Sequence, residues 1–223
     1  MRALAILALV FVCFTTAAQA QSLMRYYRMA YGLSGSWSTG SAQTDITQTS
    51  GTGTFGTDVD RETFRVSTRN GHFFTRNLLI GLDVTWEQTS TEARPTPNPA
   101  GARTEMFERR LFIGPLIRWY QPMNVRWFLY PELSFGYSHY GNEVEESDAS
   151  SAALPVSINA RGFGVHAGAG VGYFLTRHVV FDASVRYMHA WRDGTYEIPG
   201  FPDRTVDMRE YDVQFLVGFQ LLI

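Results

Sequence analysis

The residues from which this chain could build chemistry are histidines, carboxylates and arginines; lysine is absent and the single cysteine, Cys13, lies near the start. His139-Tyr140-Gly141-Asn142-Glu143 is the one stretch that suggests an enzyme. An acyl hydrolase needs a hydroxyl nucleophile, an imidazole to take its proton and an acid to orient that imidazole. Gly141 stands where the serine would be, so the nucleophile is missing at that spacing. An interfacial histidine at the mouth of a strand is the plainer reading, and no catalytic residue is assigned. The carboxylates Glu143, Glu145, Glu146 and Asp148 offer oxygens to a hard divalent cation, but the aspartate-glycine spacing of a calcium loop is lacking. A solvated, repulsive loop is preferred, and no metal site is expected. No phosphate-binding glycine loop or cofactor motif occurs, so no cofactor is expected either.

The remaining charges are informative through their position in alternating segments. Tyr211, Val213, Phe215, Val217, Phe219, Leu221 and Ile223 share one face of the last segment, while Asp212, Gln214, Gly218 and Gln220 share the other. Leu216 and Leu222 interrupt the polar face. That period of two marks a strand long enough to cross a membrane at a tilt. Near the start, Tyr27, Met29, Tyr31, Leu33 and Trp37 alternate with Arg28, Ala30, Gly32, Ser34 and Ser36 in the same way.

Six more strands are predicted between these two: Arg61–Phe74, Leu78–Ser90, Arg103–Tyr120, Val125–Tyr140, Asn159–Leu175 and Val179–Trp191. Tight turns at Thr75–Asn77, Gln121–Asn124 and Thr176–His178 alternate with long polar connections at Thr39–Asp60, Thr91–Ala102, Gly141–Ile158 and Arg192–Val206. The fold expected is all-β: an eight-stranded antiparallel up-and-down transmembrane β-barrel with short periplasmic turns, long external loops and both termini in the periplasm. No other stretch of the mature chain is apolar enough for a membrane helix, and a closed barrel is the remaining way to span lipid with every backbone group paired.

A soluble lipocalin-like barrel alternates too, with its apolar face inward. Two features favour lipid outside. Trp86, Trp119, Trp127, Tyr137, Tyr173, Tyr187 and Trp191 fall on the apolar face toward strand ends, where interfacial girdles form. The opposite face holds Arg28, Arg65, Arg69, Arg110, Arg118, Arg126 and Arg186 against Asp83, Glu87, Glu108, Glu132, Asp182 and Asp212. Such a balance suits a narrow lumen in which arginine and carboxylate pair. Gly162, Gly164, Gly168, Gly170 and Gly172 on that face would leave room for long arginines opposite. His166 should face the same interior, as a gate, a proton relay or, more commonly, a hydrogen-bonded structural group. A barrel of this size is just wide enough for side chains to fill, so solute passage is not expected.

Arg2, the apolar run Ala3 to Phe14 and the small residues Ala18 and Ala20 form a secretory signal, placing residues 1–20 in a signal peptide and residues 21–223 in one barrel domain. The net charge of −2 leaves no basic footprint for nucleic acid. Gly71-His72-Phe73-Phe74-Thr75-Arg76-Asn77 is echoed by Gly172-Tyr173-Phe174-Leu175-Thr176-Arg177-His178. A duplicated hairpin is one reading; two turns meeting the same steric demands is the preferred one.

With these turn motifs and the alternating C-terminal strand, the whole mature chain resembles the porin-like outer-membrane β-barrel family, the small barrels of OmpA and OmpX type. The resemblance implies location in the outer membrane of a Gram-negative bacterium. It also implies that Phe215, Val217, Phe219, Leu221 and Ile223 look like the signal read by the barrel-assembly machinery, although family members usually end in phenylalanine. The His139 stretch faintly resembles the His-x-Ser-Asn element of outer-membrane lipid A deacylases, minus its serine. Outer-membrane lipids, lipopolysaccharide and an unknown ligand of the external loops are the expected partners of a monomer. Function is placed on those loops, with a narrow channel, and then a lipid hydrolase, as alternatives.

Overall fold

The alternation dictates what the backbone can do. Each strand has one apolar and one polar face, and neither can be left in the wrong solvent, so the sheet must close on itself. The computed structural model describes residues 27–47, 54–96, 104–146, 157–197 and 204–223. The signal expected at residues 1–20, with Ala18 and Ala20, lies outside them.

The strands are β1 (Met29–Thr47), β2 (Thr54–Phe73), β3 (Leu78–Thr96), β4 (Thr104–Trp119), β5 (Gln121–Pro122), β6 (Trp127–Glu146), β7 (Ser157–Phe174), β8 (Val179–Glu197) and β9 (Arg204–Leu222). β5 is a short continuation of β4, because Gln121↔Leu129 keeps the register in which Arg118 faces Glu132. Eight crossings therefore remain. All neighbours are antiparallel, in the order β4-β3-β2-β1-β9-β8-β7-β6, and β4 pairs with β6 to complete the ring. Ile223 joins the two ends: it receives the amide of Met29 and donates its own to the Met29 carbonyl, at 2.9 and 3.0 Å.

The strand boundaries differ from the sequence-based expectation in two ways. The strand predicted from Val125 starts at Trp127, after a turn in which Asn124 Oδ1 accepts from the amides of Arg126 and Trp127 at 2.8 and 2.9 Å. The strands also run well into the polar stretches assigned to loops, β1 to Thr47 and β6 to Glu146. Glu143, Glu145 and Glu146 thus belong to a strand, while Asp148 lies outside the described residues. Hydrophobicity marks only the part of a strand that meets lipid; a hairpin continuing into water keeps its ladder without an apolar face. The echoed turns have a common cause. Thr75 and Thr176 each accept through Oγ1 from the amide three residues on, Leu78 and Val179, both at 3.1 Å.

The outward face is apolar through its middle. Leu33, Ile80, Leu82, Ile117, Leu133, Phe135, Val185, Phe215, Val217 and Phe219 are all exposed. Rings collect at both margins of this band. Trp119, Trp127 and Tyr173 lie near the short turns, with Trp127 packed on Tyr173 at 4.7 Å. Trp37, Phe64, Trp86, Tyr137, Phe163, Trp191 and Tyr211 lie toward the opposite rim. Tyr27 is a correction: it was read onto this outer face, yet it is buried inside the ring, where it stacks on Phe174 at 6.3 Å. The chain has not yet joined the ladder at Tyr27, so strand alternation does not govern where that ring points.

Candidate functional site

Three tiers fill the interior. The lowest, beside the short turns, is apolar: Tyr27, Phe73, Leu79, Tyr120, Phe128, Tyr130, Val180 and Leu222 pack in one buried cluster. Leu222, an interruption in the strand pattern, is thereby explained. Gly170 and Gly172 of β7 make room for these rings rather than for arginines as expected. A Cβ at Gly172 would sit 2.0 Å from Cζ of Phe128, and one at Gly170 2.3 Å from Cζ of Tyr130. Gly168 and Gly162 of this row abut arginines, Arg186 and Arg192. The aromatics sit opposite because β6 carries Phe128 and Tyr130 inward at the depth of those glycines, paired with Gly172 and Gly170.

The middle tier is charged and dry. Glu132 accepts from Arg69 Nη1 at 3.0 Å and from Arg118 Nη2 at 2.5 Å. Arg118 also lies over the Tyr130 ring, 4.2 Å from its centroid, and Asp182 takes hydrogen bonds from Tyr130 and Gln220. Above it Asp83, with no exposed surface, accepts from Ser134 (2.9 Å), His166 Nδ1 (3.0 Å) and Arg186 Nη1 (2.9 Å) through one oxygen. Ser67 and Thr85 serve its other oxygen. A buried carboxylate is tolerable only when its lone pairs are met in this way. His166 packs against Phe112 with centroids 3.7 Å apart and the rings tilted by 33°, and its Nε2 has no protein partner among the described residues.

The upper tier faces the far rim. Glu87 holds Arg65 Nε at 2.6 Å and Arg110 Nη1 at 2.6 Å. Arg65 reaches Asp212 at 2.8 Å, while Arg110 reaches both Glu108 and Glu210 at 2.8 Å. Arg192 joins Glu210 at 2.6 Å and Ser138 at 2.8 Å. Arg192 and Glu210 were missed because both lie beyond the last outward apolar side chain of their strands, where residues were read as loop or strand margin. Here the packing loosens. A cavity of about 360 Å³ is bounded by Ser38 and Thr39 of β1, Arg61, Thr63 and Arg65 of β2, Glu87, Arg110, and Glu210 to Val213 of β9.

Two expected lumen residues are elsewhere. Arg28 is exposed at the lower rim, where its amide donates to Ile223 O at 2.6 Å. Arg126 is exposed in the short turn before β6 and donates to the Tyr173 hydroxyl at 3.0 Å. Both precede their strands, so the parity that sorts strand side chains does not apply to them. His139 is on the outer wall, opposite Leu111 and Arg161. It shares a shallow hollow of about 180 Å³ with Arg109, Asn159 and Ser157. Ser157 pairs with Glu143, four residues along β6 from His139, roughly 13 Å away by strand rise.

The sequence matches the family model of the outer membrane protein beta-barrel domain over residues 5–219. Among solved structures, OprG from Pseudomonas aeruginosa is 15% identical with a TM-score of 0.51, covering 91% of this chain and 99% of that one. A major outer membrane protein from Thermus thermophilus is 9% identical with a TM-score of 0.51, covering 89% and 100%. The outer membrane protease OmpT from Escherichia coli is 10% identical with a TM-score of 0.53, covering 88% and 79%. At such identities the likeness is one of fold. No curated protein matches the sequence.

Proposed function

The chain belongs to the outer membrane protein beta-barrel domain family, and we propose that within it this molecule is a non-enzymatic barrel, closed to solutes, that acts through its outer rim. The observation carrying this reading is the stack of side chains below the upper tier. Leu79, Tyr120 and Phe128 have no exposed surface, and neither does Asp83 above them. A solute crossing the barrel would have to separate Asp83 from Arg186, Glu132 from Arg69 and Arg118, and then the ring cluster, against strong pairing in a dry interior.

Interaction then falls to the upper tier, the strand extensions beyond the lipid band, and the loops they carry. The apolar wall meets outer-membrane lipid, with lipopolysaccharide around its upper margin, as a single copy. Phe215, Val217, Phe219, Leu221 and Ile223, all outward, form the face offered to the assembly machinery during insertion. An N-terminal signal peptide ending at Ala20 would deliver the chain to it. The separation of roughly 13 Å between His139 and Ser157 weighs against a hydrolase, since proton transfer needs hydrogen-bond reach.

Single-channel recording in planar bilayers tests the reading. The purified barrel is expected to give no stable conductance; ohmic steps would overturn it in favour of a narrow channel. Lipid hydrolysis abolished by His139→Ala would overturn the non-enzymatic part.

A further inference from the structure

The ring is least complete between β1 and β9. Among the described residues these strands pair only from Ala30↔Leu222 to Gly35↔Val217. Beyond that point β1 keeps β2 as far as Thr47, and β9 keeps β8 as far as Arg204. Val217 lies midway along the apolar outer face of β9, which runs from Tyr211 to Ile223. The facing edges of Ser36–Thr39 and Tyr211–Leu216 therefore leave the ladder inside the outward half of the bilayer. Open sheet edges do not persist against hydrocarbon, because their amides and carbonyls find no partner there; they are tolerated only beside protein or a water-filled space.

The cavity of about 360 Å³ supplies that space. Along β9 it touches inward Glu210 and Asp212 and also outward Tyr211 and Val213, and along β1 both Ser38 and Thr39. The cavity thus reaches residues of both faces of these two strands at the level where their ladder has stopped. Its lining is not that of a hydrocarbon tunnel. Arg110 Nε is buried there without an acceptor, and half-exposed Arg61 reaches Glu108 only at 3.9 Å. Arg110 is already held by Glu87, Glu108 and Glu210, so Arg61 is the cation of this lining with room for a further anionic oxygen. Asp212, held by Arg65, and Glu210, held by Arg110 and Arg192, retain partial exposure.

We propose that the β1–β9 seam is a lateral portal that admits the zwitterionic headgroup of a membrane amphiphile. The phosphate would sit toward Arg61, the ammonium toward Asp212, and the acyl chain would stay in lipid along Trp37 and Val213. The site lies above the buried tiers, so it goes beyond the closed-lumen reading and does not need it.

The test is titration of the barrel in dodecyl maltoside with lyso-phosphatidylethanolamine, read by native mass spectrometry. Saturable binding of one molecule is expected, with a monoacylglycerol of equal chain length binding roughly ten-fold more weakly. The pair Thr39→Cys and Val213→Cys continues the register past Gly35↔Val217 and, when oxidised, staples the seam. Binding should fall by about ten-fold and return on reduction, with heat-modified gel mobility unchanged throughout. Should the cysteines not join, Ser38→Trp, which fills the opening, is expected to give the same loss. Undiminished binding after stapling or in Ser38→Trp overturns the portal. Equal binding of the monoacylglycerol overturns the zwitterion assignment, and equal binding of phosphoethanolamine alone overturns access from the membrane.

Discussion

The lower and upper halves of this barrel use the same wall for different ends. Below Gly35↔Val217 the β1–β9 ladder is continuous and the interior is buried, with rings at the base and paired charges above. Above it the β1–β9 ladder stops, Arg61, Asp212 and Glu210 regain partial exposure and a cavity appears. The difference shows that a closed sheet does not need a uniform interior. Where side chains leave no room for water, every polar group must find a protein partner, and the structure becomes costly to alter. Where water is admitted, the same residue types are cheap to rearrange and free to take a ligand.

The contrast is broken or sharpened by substitutions placed on either side of it. Asp83→Ala should have the largest effect, leaving Arg186 and His166 without their carboxylate; about 3–5 kcal/mol of stability is expected to be lost. Urea unfolding in lipid vesicles, followed by tryptophan fluorescence, measures it, and a loss below about 1 kcal/mol would mean that the middle tier is not dry. Val217→Arg, at mid-wall depth, should cost about 2–4 kcal/mol in the same assay. A negligible cost would place that face in water. Gly172→Ala drives a methyl into the Phe128 ring and should cost about 1–3 kcal/mol. Tolerance without loss would show the lower plug to be loosely packed. Asp212→Asn is expected to matter least, within about 1 kcal/mol, because Asp212 is partly solvated and Arg65 keeps Glu87. A loss approaching that of Asp83→Ala would erase the distinction between the halves.

Much of the wall was legible from the chain. Alternation alone placed Phe215, Val217, Phe219, Leu221 and Ile223 outward and Arg69, Asp83, Glu132 and Arg186 inward, since parity along a strand settles a side chain's face once one member is known. The departures share one origin. Tyr27, Arg28 and Arg126 precede their strands, where parity has no hold. Arg192 and Glu210 sit past the lipid band, where hydrophobicity no longer marks the strand.

By itself the sequence determined that this protein is a closed sheet with an apolar outside and a charged inside, because the period of two is a local property of each strand. Which charges meet was decided only by the tertiary structure. Asp83 and Arg186 are paired across the lumen by the ring's diameter and register, and nothing near either residue announces the other. The open seam is of the same kind. It depends on how far two strands from opposite ends of the chain run side by side, and the residues that fail to pair there look no different from those that do.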